Sequence, residues 1–328
     1  MNRTIKLITL TLALLTSALS HAYDFYSDGI YYNILSESDR TVEVTEKGTT
    51  GDHKVTYKGD VVIPKKVIKS GKTYTVIKIK GYAFYLCKDL TSVTIPNSVT
   101  TIGSSAFELC KALTSITIPN SVTEISSEAF RDCIALISID IPNSVRTIRD
   151  WAFMDCEKLT SISIPKSVTT IGELVFEGCN SLEAINVDPD NCHFTSIDGV
   201  LYSKDISTLI SCPGAIKSLN IPNSVTSIGY RAFNSGHISS VTIPNSVTTI
   251  EKNAFTACKK ISSITIPNSV TKIGFRAFAY CINLASVTMS NYIEEIGEEA
   301  FDDCNRLTSI TLPNSIKKIG KDAFNTCN

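Results

Sequence analysis

The chain restates itself every 23 residues, and no other feature narrows its possible folds so far. A small residue followed by Phe, with Cys three places later, recurs almost without a slip. The Phe positions are Phe84, Phe107, Phe130, Phe153, Phe176, Phe233, Phe255, Phe278, Phe301 and Phe324. Between them a second phrase returns, as in Ile95-Pro96-Asn97-Ser98-Val99. A period of this size marks a solenoid, because one unit can bury its apolar face only against its neighbours. Hydrophobic residues at 43% are ample for such a core. The balance of 31 basic against 32 acidic side chains gives no electrostatic reason to expect nucleic acid or an anionic membrane.

Residues 90–112 serve as the model unit. Val93 and Ile95 alternate with Ser92 and Thr94, the period of a half-buried strand. Pro96 cannot donate to a ladder and closes that strand; Asn97 and Ser98 suit the turn that follows. Val99 and Ile102 return to the core, Gly103 permits a tight bend, and Ala106-Phe107 falls in a short helical or turn segment. Parallel strand pairing then stacks the coils about 4.8 Å apart, with one Phe per coil forming an internal ladder.

The phrases IPNSV and TIGSSAF, with Cys three residues beyond the Phe, resemble the BspA-like leucine-rich repeats of exported bacterial proteins. The lead-in DGIYYNI, followed by TVEV and VVIPKKV, is similar to that family as well. The resemblance implies a right-handed leucine-rich repeat solenoid, α/β-type or mostly β, with short parallel strands and short helical or turn segments. It also implies a cell-surface or secreted protein; some members are adhesins for extracellular-matrix proteins or other bacteria.

Residues 1–22 read as a secretory signal peptide: Arg3 and Lys6 precede an apolar run from Leu7 to Leu19, and cleavage is expected after Ala22. No later segment reads as transmembrane. Residues 23–80 lack the strict period but hold strand-like runs, and are read as a β-rich cap on the solenoid end, with a separate binding module as the alternative. Residues 81–328 form the solenoid. Its regularity breaks between Phe176 and Phe233, where an insertion near 190–211 contains Asp198-Gly199 between strand formers. That dipeptide is a strong hairpin signal. Asp198, Gly199 and Tyr202 are the candidate binding loop; a decorated coil without a ligand is the other reading.

Nine of eleven Cys occupy one register, which favours a stack of reduced, inward-facing thiols. The off-register Cys192 and Cys212 flank the expected hairpin and are the best disulfide candidate. One Cys per coil cannot converge tetrahedrally, so no metal site is expected. The scattered His residues and the solvated carboxylates Glu108, Glu124, Asp155 and Glu157 supply no catalytic constellation. No cofactor is expected, and the chain is read as a non-enzyme.

The outward side of the strands carries short polar residues from Thr94 to Thr311. Tyr82, Trp151, Leu174, Phe275 and Tyr280, which precede or follow the core Phe, form the candidate interaction patch. The functional reading is an exported monomeric scaffold, at the cell surface, extracellular or periplasmic, that binds an unidentified protein or glycan. A structural envelope or matrix component is the competing class.

Overall fold

Each repeat forms one turn of a β-solenoid of about ten turns. The computed structural model describes residues 23–48, 57–233 and 237–327, so the expected signal peptide lies outside the described residues. Three hydrogen-bonded stacks run along the body. In the first, Leu90–Thr94, Ser115–Thr117 and Ser138–Asp140 pair in parallel, with Val93 beside Ile116 and Ile116 beside Ile139. Those three aliphatics are buried, while Thr94, Thr117 and Asp140 are exposed. The strand ends at the proline, whose carbonyl accepts from the Val99 amide at 3.0 Å. The recurring Ser ties this corner to its neighbour: Ser144 Oγ donates to the Val122 carbonyl at 2.6 Å, and Ser167 Oγ to Val145 at 2.7 Å.

The second stack joins Thr101–Ile102, Glu124–Ile125, Thr147–Ile148 and Thr170–Ile171 through their isoleucines. Gly103 serves close approach here more than bending. A Cβ on it would stand 2.4 Å from the Gly81 amide nitrogen of the preceding coil.

Short helical segments were among the expectations for the Phe region; among the described residues there is none, and a third stack of turns takes their place. Residues two before and two after the Phe adopt left-handed backbone, as in Ser105 (φ 55°) and Leu109 (φ 62°), or Asn253 and Ala257. Two such residues within five break the right-handed helical run. Alternate amides then leave the coil altogether: Ser105, Phe107 and Leu109 donate to carbonyls of Ser127, Ala129 and Arg131 in the next coil at 2.9–3.0 Å. The amides between them close local turns, as Ala106 does to Gly103. Left-handed backbone costs a non-glycine residue about 1–2 kcal/mol, and glycine's own entropy loss recovers only part of that. Ala257→Gly is therefore expected to stabilise the protein by about 0.5–1 kcal/mol, seen as a higher urea midpoint; a lower midpoint would contradict it.

Inside the coil the Phe rings stack nearly face to face. Phe107 to Phe130 measures 5.4 Å at 1°, and Phe130 to Phe153 measures 5.6 Å at 6°. At the N-terminal end Tyr57 lies on Phe84 at 4.6 Å, with its hydroxyl donating to the Thr45 carbonyl at 2.6 Å. The strands Phe25–Ser27, Ile30–Ser36 and Thr41–Thr45 form an antiparallel meander. Its last strand pairs in parallel with Lys72–Ile79, which pairs in turn with Thr101–Ile102. Gly59–Val62 likewise pairs with Leu90–Thr94, so solenoid pairing reaches back to Gly59.

The insertion forms the expected hairpin, Phe194–Ile197 against Val200–Ser203, turning at Asp198 (φ 50°) and Gly199 (φ 79°). It does not project. The Gly199 carbonyl accepts from the Ile185 amide at 2.8 Å, and Val200, Leu201 and Tyr202 are all buried. Leu201 joins the core of the N-terminal coils, whereas Val200 and Tyr202 join the core of the C-terminal coils. The hairpin is thus a septum: alternation along one strand sends side chains to opposite faces, and each face plugs one half of the solenoid.

Candidate functional site

Polar side chains on the outer strand face follow from the same alternation that fills the core. Thr94, Thr117, Asp140, Ser163, Asn186, Asn220, Thr242, Thr265, Thr288 and Thr311 are all exposed, one per coil. At the N-terminal edge of this face Asp60 accepts from Ser92 Oγ at 2.6 Å and Thr91 Oγ1 at 2.8 Å. Those hydroxyls hold its carboxyl below the usual range.

The candidate aromatic residues do not gather in one place. Tyr82, Trp151 and Leu174 share the left-handed position two before the Phe, where Tyr82 and Trp151 are exposed and Leu174 is half-buried. Trp151 and Leu174 belong to adjacent coils, joined by the Trp151 amide on the Glu173 carbonyl at 3.0 Å. Tyr82 sits three coils away, edge-on to Tyr85 at 5.5 Å. Phe275 and Tyr280 share a third location beyond the septum, with the Arg276 guanidinium 5.1 Å over the Phe275 ring. Trp151 and Phe275 are each 38% exposed.

The insertion residues fare differently. Asp198 and Gly199 make the turn, but Tyr202 is a core residue with 1% exposure, unsuited to touching a partner. Desolvation, with a smaller contribution from Cys212, raises its phenol above the ordinary range. The disulfide expected between Cys192 and Cys212 is not formed: both are free, Cys192 on the surface and Cys212 buried. Cys212 is held inside because its amide donates to the Ala232 carbonyl at 2.8 Å.

The register thiols have a role beyond filling space. Cys110 Sγ donates to the Phe84 carbonyl at 3.1 Å, and the same bond recurs at Cys133, Cys156, Cys179, Cys258, Cys281 and Cys304. Burial raises all of these thiols above their ordinary range, so they are poor nucleophiles. In native protein a maleimide should therefore modify Cys192 first, with the half-buried Cys327 second. The buried thiols should react only after denaturation, and mass spectrometry showing early labelling of Cys133 would contradict that arrangement.

Solvation does not account for every carboxylate. Glu108 is 8% exposed and 3.8 Å from Arg131, which also meets Glu128 at 2.7 Å and Asp132 at 3.5 Å. Desolvation raises the Glu108 and Asp155 carboxyls, with neighbouring acids adding to it. Glu124, by contrast, pairs with Arg149 on the surface at 2.8 Å. Among the described residues no three His, Cys, Asp or Glu side chains converge as metal ligands, and no helix is long and apolar enough to cross a membrane.

Sequence reasoning missed the left-handed positions and the pair formed by Arg231 with Glu177 at 3.2 Å. The first had a signal: Asp132, Asp155, Asn253, Asp303 and Asp322 recur two residues from the Phe, and Asn and Asp tolerate this backbone best. The second had none, because its partners lie 54 residues apart.

Solved structures with this architecture include a leucine-rich cell surface protein from Faecalibacterium prausnitzii. It is 28% identical to the chain, with a TM-score of 0.68 over 92% of each. A leucine-rich repeat protein from Bacteroides ovatus is 27% identical, with a TM-score of 0.51 over 93% of this chain and 92% of that one. The pneumococcal vaccine antigen PcpA shares the fold at 19% identity, with a TM-score of 0.59 over 91% and 94%. No curated protein matches the chain. The model of the BspA type leucine rich repeat region matches residues 77–206 and 207–328, and with these coils and ladders the chain belongs to that family.

Proposed function

We propose that the chain is an exported, non-catalytic repeat scaffold that binds a macromolecule, in the first instance a protein, outside the cell. The observation that carries this reading is the row of exposed short polar side chains, one per coil, that runs from Thr94 to Asn186 and, beyond the inserted hairpin, from Asn220 to Thr311. Such a surface offers many weak, equally spaced contacts instead of one deep site, and multivalent contact gains affinity without any strong single anchor. Trp151, the single tryptophan, adds an aromatic contact beside that body. The F. prausnitzii relative is described as a cell surface protein, which supports export here, as does the leader-like stretch before Tyr23.

The test is capture of immobilised extracellular-matrix proteins by residues 23–328, with Thr117→Lys and Thr265→Lys placed on the outer strand face. Wild-type capture that falls at least tenfold in the double variant, at unchanged thermal stability, is the expected result. Failure of wild-type protein to capture any matrix protein would reject the reading in favour of a structural envelope component. Deleting residues 190–211 is not a substitute for this experiment, since it removes the septum that both core halves rest on.

A further inference from the structure

The third stack is complete from coil to coil up to Asp155 and then stops. Trp151, Phe153 and Asp155 donate to the carbonyls of Glu173, Val175 and Glu177 at 3.0, 3.1 and 2.7 Å. One coil later the amides in the same register, those of Leu174, Phe176 and Gly178, have no acceptor among the described residues. The septum explains why. Leu209 pairs with Ile228 in the second stack, and Cys212 already holds the Phe register by donating to Ala232. The inserted coil thus goes from one to the other in three residues, where Ile102 to Phe107 takes five.

The missing stretch leaves a cleft of about 320 Å³ between Leu174 on one wall and Tyr230 and Arg231 on the other, with Ile210 and Ser211 at its base. The two walls have opposite hydrogen-bonding sense. One presents the amides of Leu174 and Phe176, two residues apart. The other presents the Tyr230 carbonyl, which holds the register of the Glu173 acceptor yet receives no bond among the described residues. Arg231 reaches Glu177 through Nη1 at 3.2 Å, while its Nε is buried without a partner among the described residues.

We infer that this cleft binds an extended peptide segment of a partner protein, laid in as the absent stretch of the third stack. Carbonyls of the peptide would take the Leu174 and Phe176 amides, and a peptide amide would donate to Tyr230. This is strand addition at an edge inside the solenoid instead of at its end. Donors on one wall and an acceptor on the other, at residue-alternate spacing, match a polypeptide backbone and not the mixed hydroxyls of a glycan. The apolar faces of Leu174 and Ile210 suit one aliphatic or aromatic side chain. The rim carboxylates Asp150, Glu173 and Glu177 outnumber Arg231, so a Lys or Arg flanking that side chain is favoured.

The inference rests on the macromolecule-binding reading above, and its test separates the two. A displayed library of linear peptides is panned on residues 23–328, and the enriched peptide is synthesised. In free protein the Leu174 and Phe176 amides should exchange with deuterium at least a hundredfold faster than those of Trp151 and Phe153. Saturating peptide should slow them at least tenfold. Ser211→Trp, which fills the base of the cleft, and Glu173→Lys, which reverses a carboxylate that favours the peptide's Lys or Arg, should each weaken peptide binding at least tenfold, with thermal melts checking that both variants fold. No enriched peptide, or one that leaves both amides unprotected or binds both folded variants as tightly, would overturn the inference. Protection of the same amides by an oligosaccharide from a glycan array would overturn the choice of ligand. Matrix-protein capture that survives Ser211→Trp would reject the cleft while leaving the scaffold reading intact.

Discussion

Phe130→Ala is expected to lower unfolding stability by about 3–5 kcal/mol, the range for truncating a wholly buried Phe. Phe130 has 0% exposure and ring neighbours on both sides, Phe107 at 5.4 Å and Phe153 at 5.6 Å. Removing it takes away both stacking partners at once. Neither neighbour can close the gap, because each is held by backbone bonds between coils, as Phe107 is by the Ala129 carbonyl at 2.9 Å. Trp151 sits in the adjoining coil and reports on this half of the molecule by fluorescence during urea unfolding. Phe324 is half-buried, and among the described residues its stacked ring neighbour is Phe301 at 5.4 Å. Phe324→Ala should therefore cost clearly less. Equal losses for the two substitutions, or a loss under about 1 kcal/mol at Phe130, would remove the ring stack from the account of stability.

Alkaline pH should unfold the protein steeply, through the thiols. Burial pushes Cys179 and Cys212 up to about 12 and holds Cys133, Cys156, Cys258 and Cys281 well above their ordinary value. In the unfolded chain the same groups ionise near about 8.5. Below that value both states keep their thiol protons, and the ladder's contribution is fully present. From about pH 9 to 12 the unfolded state gives up protons that the folded state retains, so rising pH draws the equilibrium away from the fold. Each such thiol removes about 1.4 kcal/mol per pH unit. Six acting together remove about 8 kcal/mol per unit, comparable with a typical whole stability of about 5–15 kcal/mol. The urea midpoint should be flat between pH 6 and 8 and fall sharply above 9. Cys156→Ala should lessen the slope by about 1.4 kcal/mol per pH unit; an unchanged slope would assign the alkaline loss to other groups, such as Tyr57.

The two effects share an origin that could be read from one coil. Regular recurrence of Phe107, Cys110, Val99 and Ile102 carries the period, the inward face and the parallel pairing, because stacking identical units puts like residues on like. The Asp198-Gly199 turn was legible for a local reason: both residues favour positive φ, and strand formers flank them. What that turn does was not legible. Val200, Leu201 and Tyr202 read equally well as an exposed hairpin or a buried one, and their environment depends on coils far from them in sequence. The same holds for Trp151 and Leu174, which are neighbours, and for Phe275, which lies with Tyr280 beyond the septum.

Sequence left Ala106-Phe107 open between a helical and a turn segment, and the structure takes the turn, because local propensity has no knowledge of the next coil. The left-handed residues Ser105 and Leu109 turn alternate amides outward, toward carbonyls that exist only once the stack has formed. Bonds of that kind offset a backbone cost that no isolated 23-residue segment would accept.

By itself the sequence determined the repeat, the residues that face inward and the place where regularity fails, since periodic apolar side chains have one way to be buried together. Tertiary structure alone decided that the insertion divides the core, that its Cys212 stays a buried thiol, and that the coil before it keeps an unfinished row of amides. Those outcomes depend on which backbone groups meet across coils, and hydrogen bonds between segments 20 or more residues apart leave no local mark in the chain.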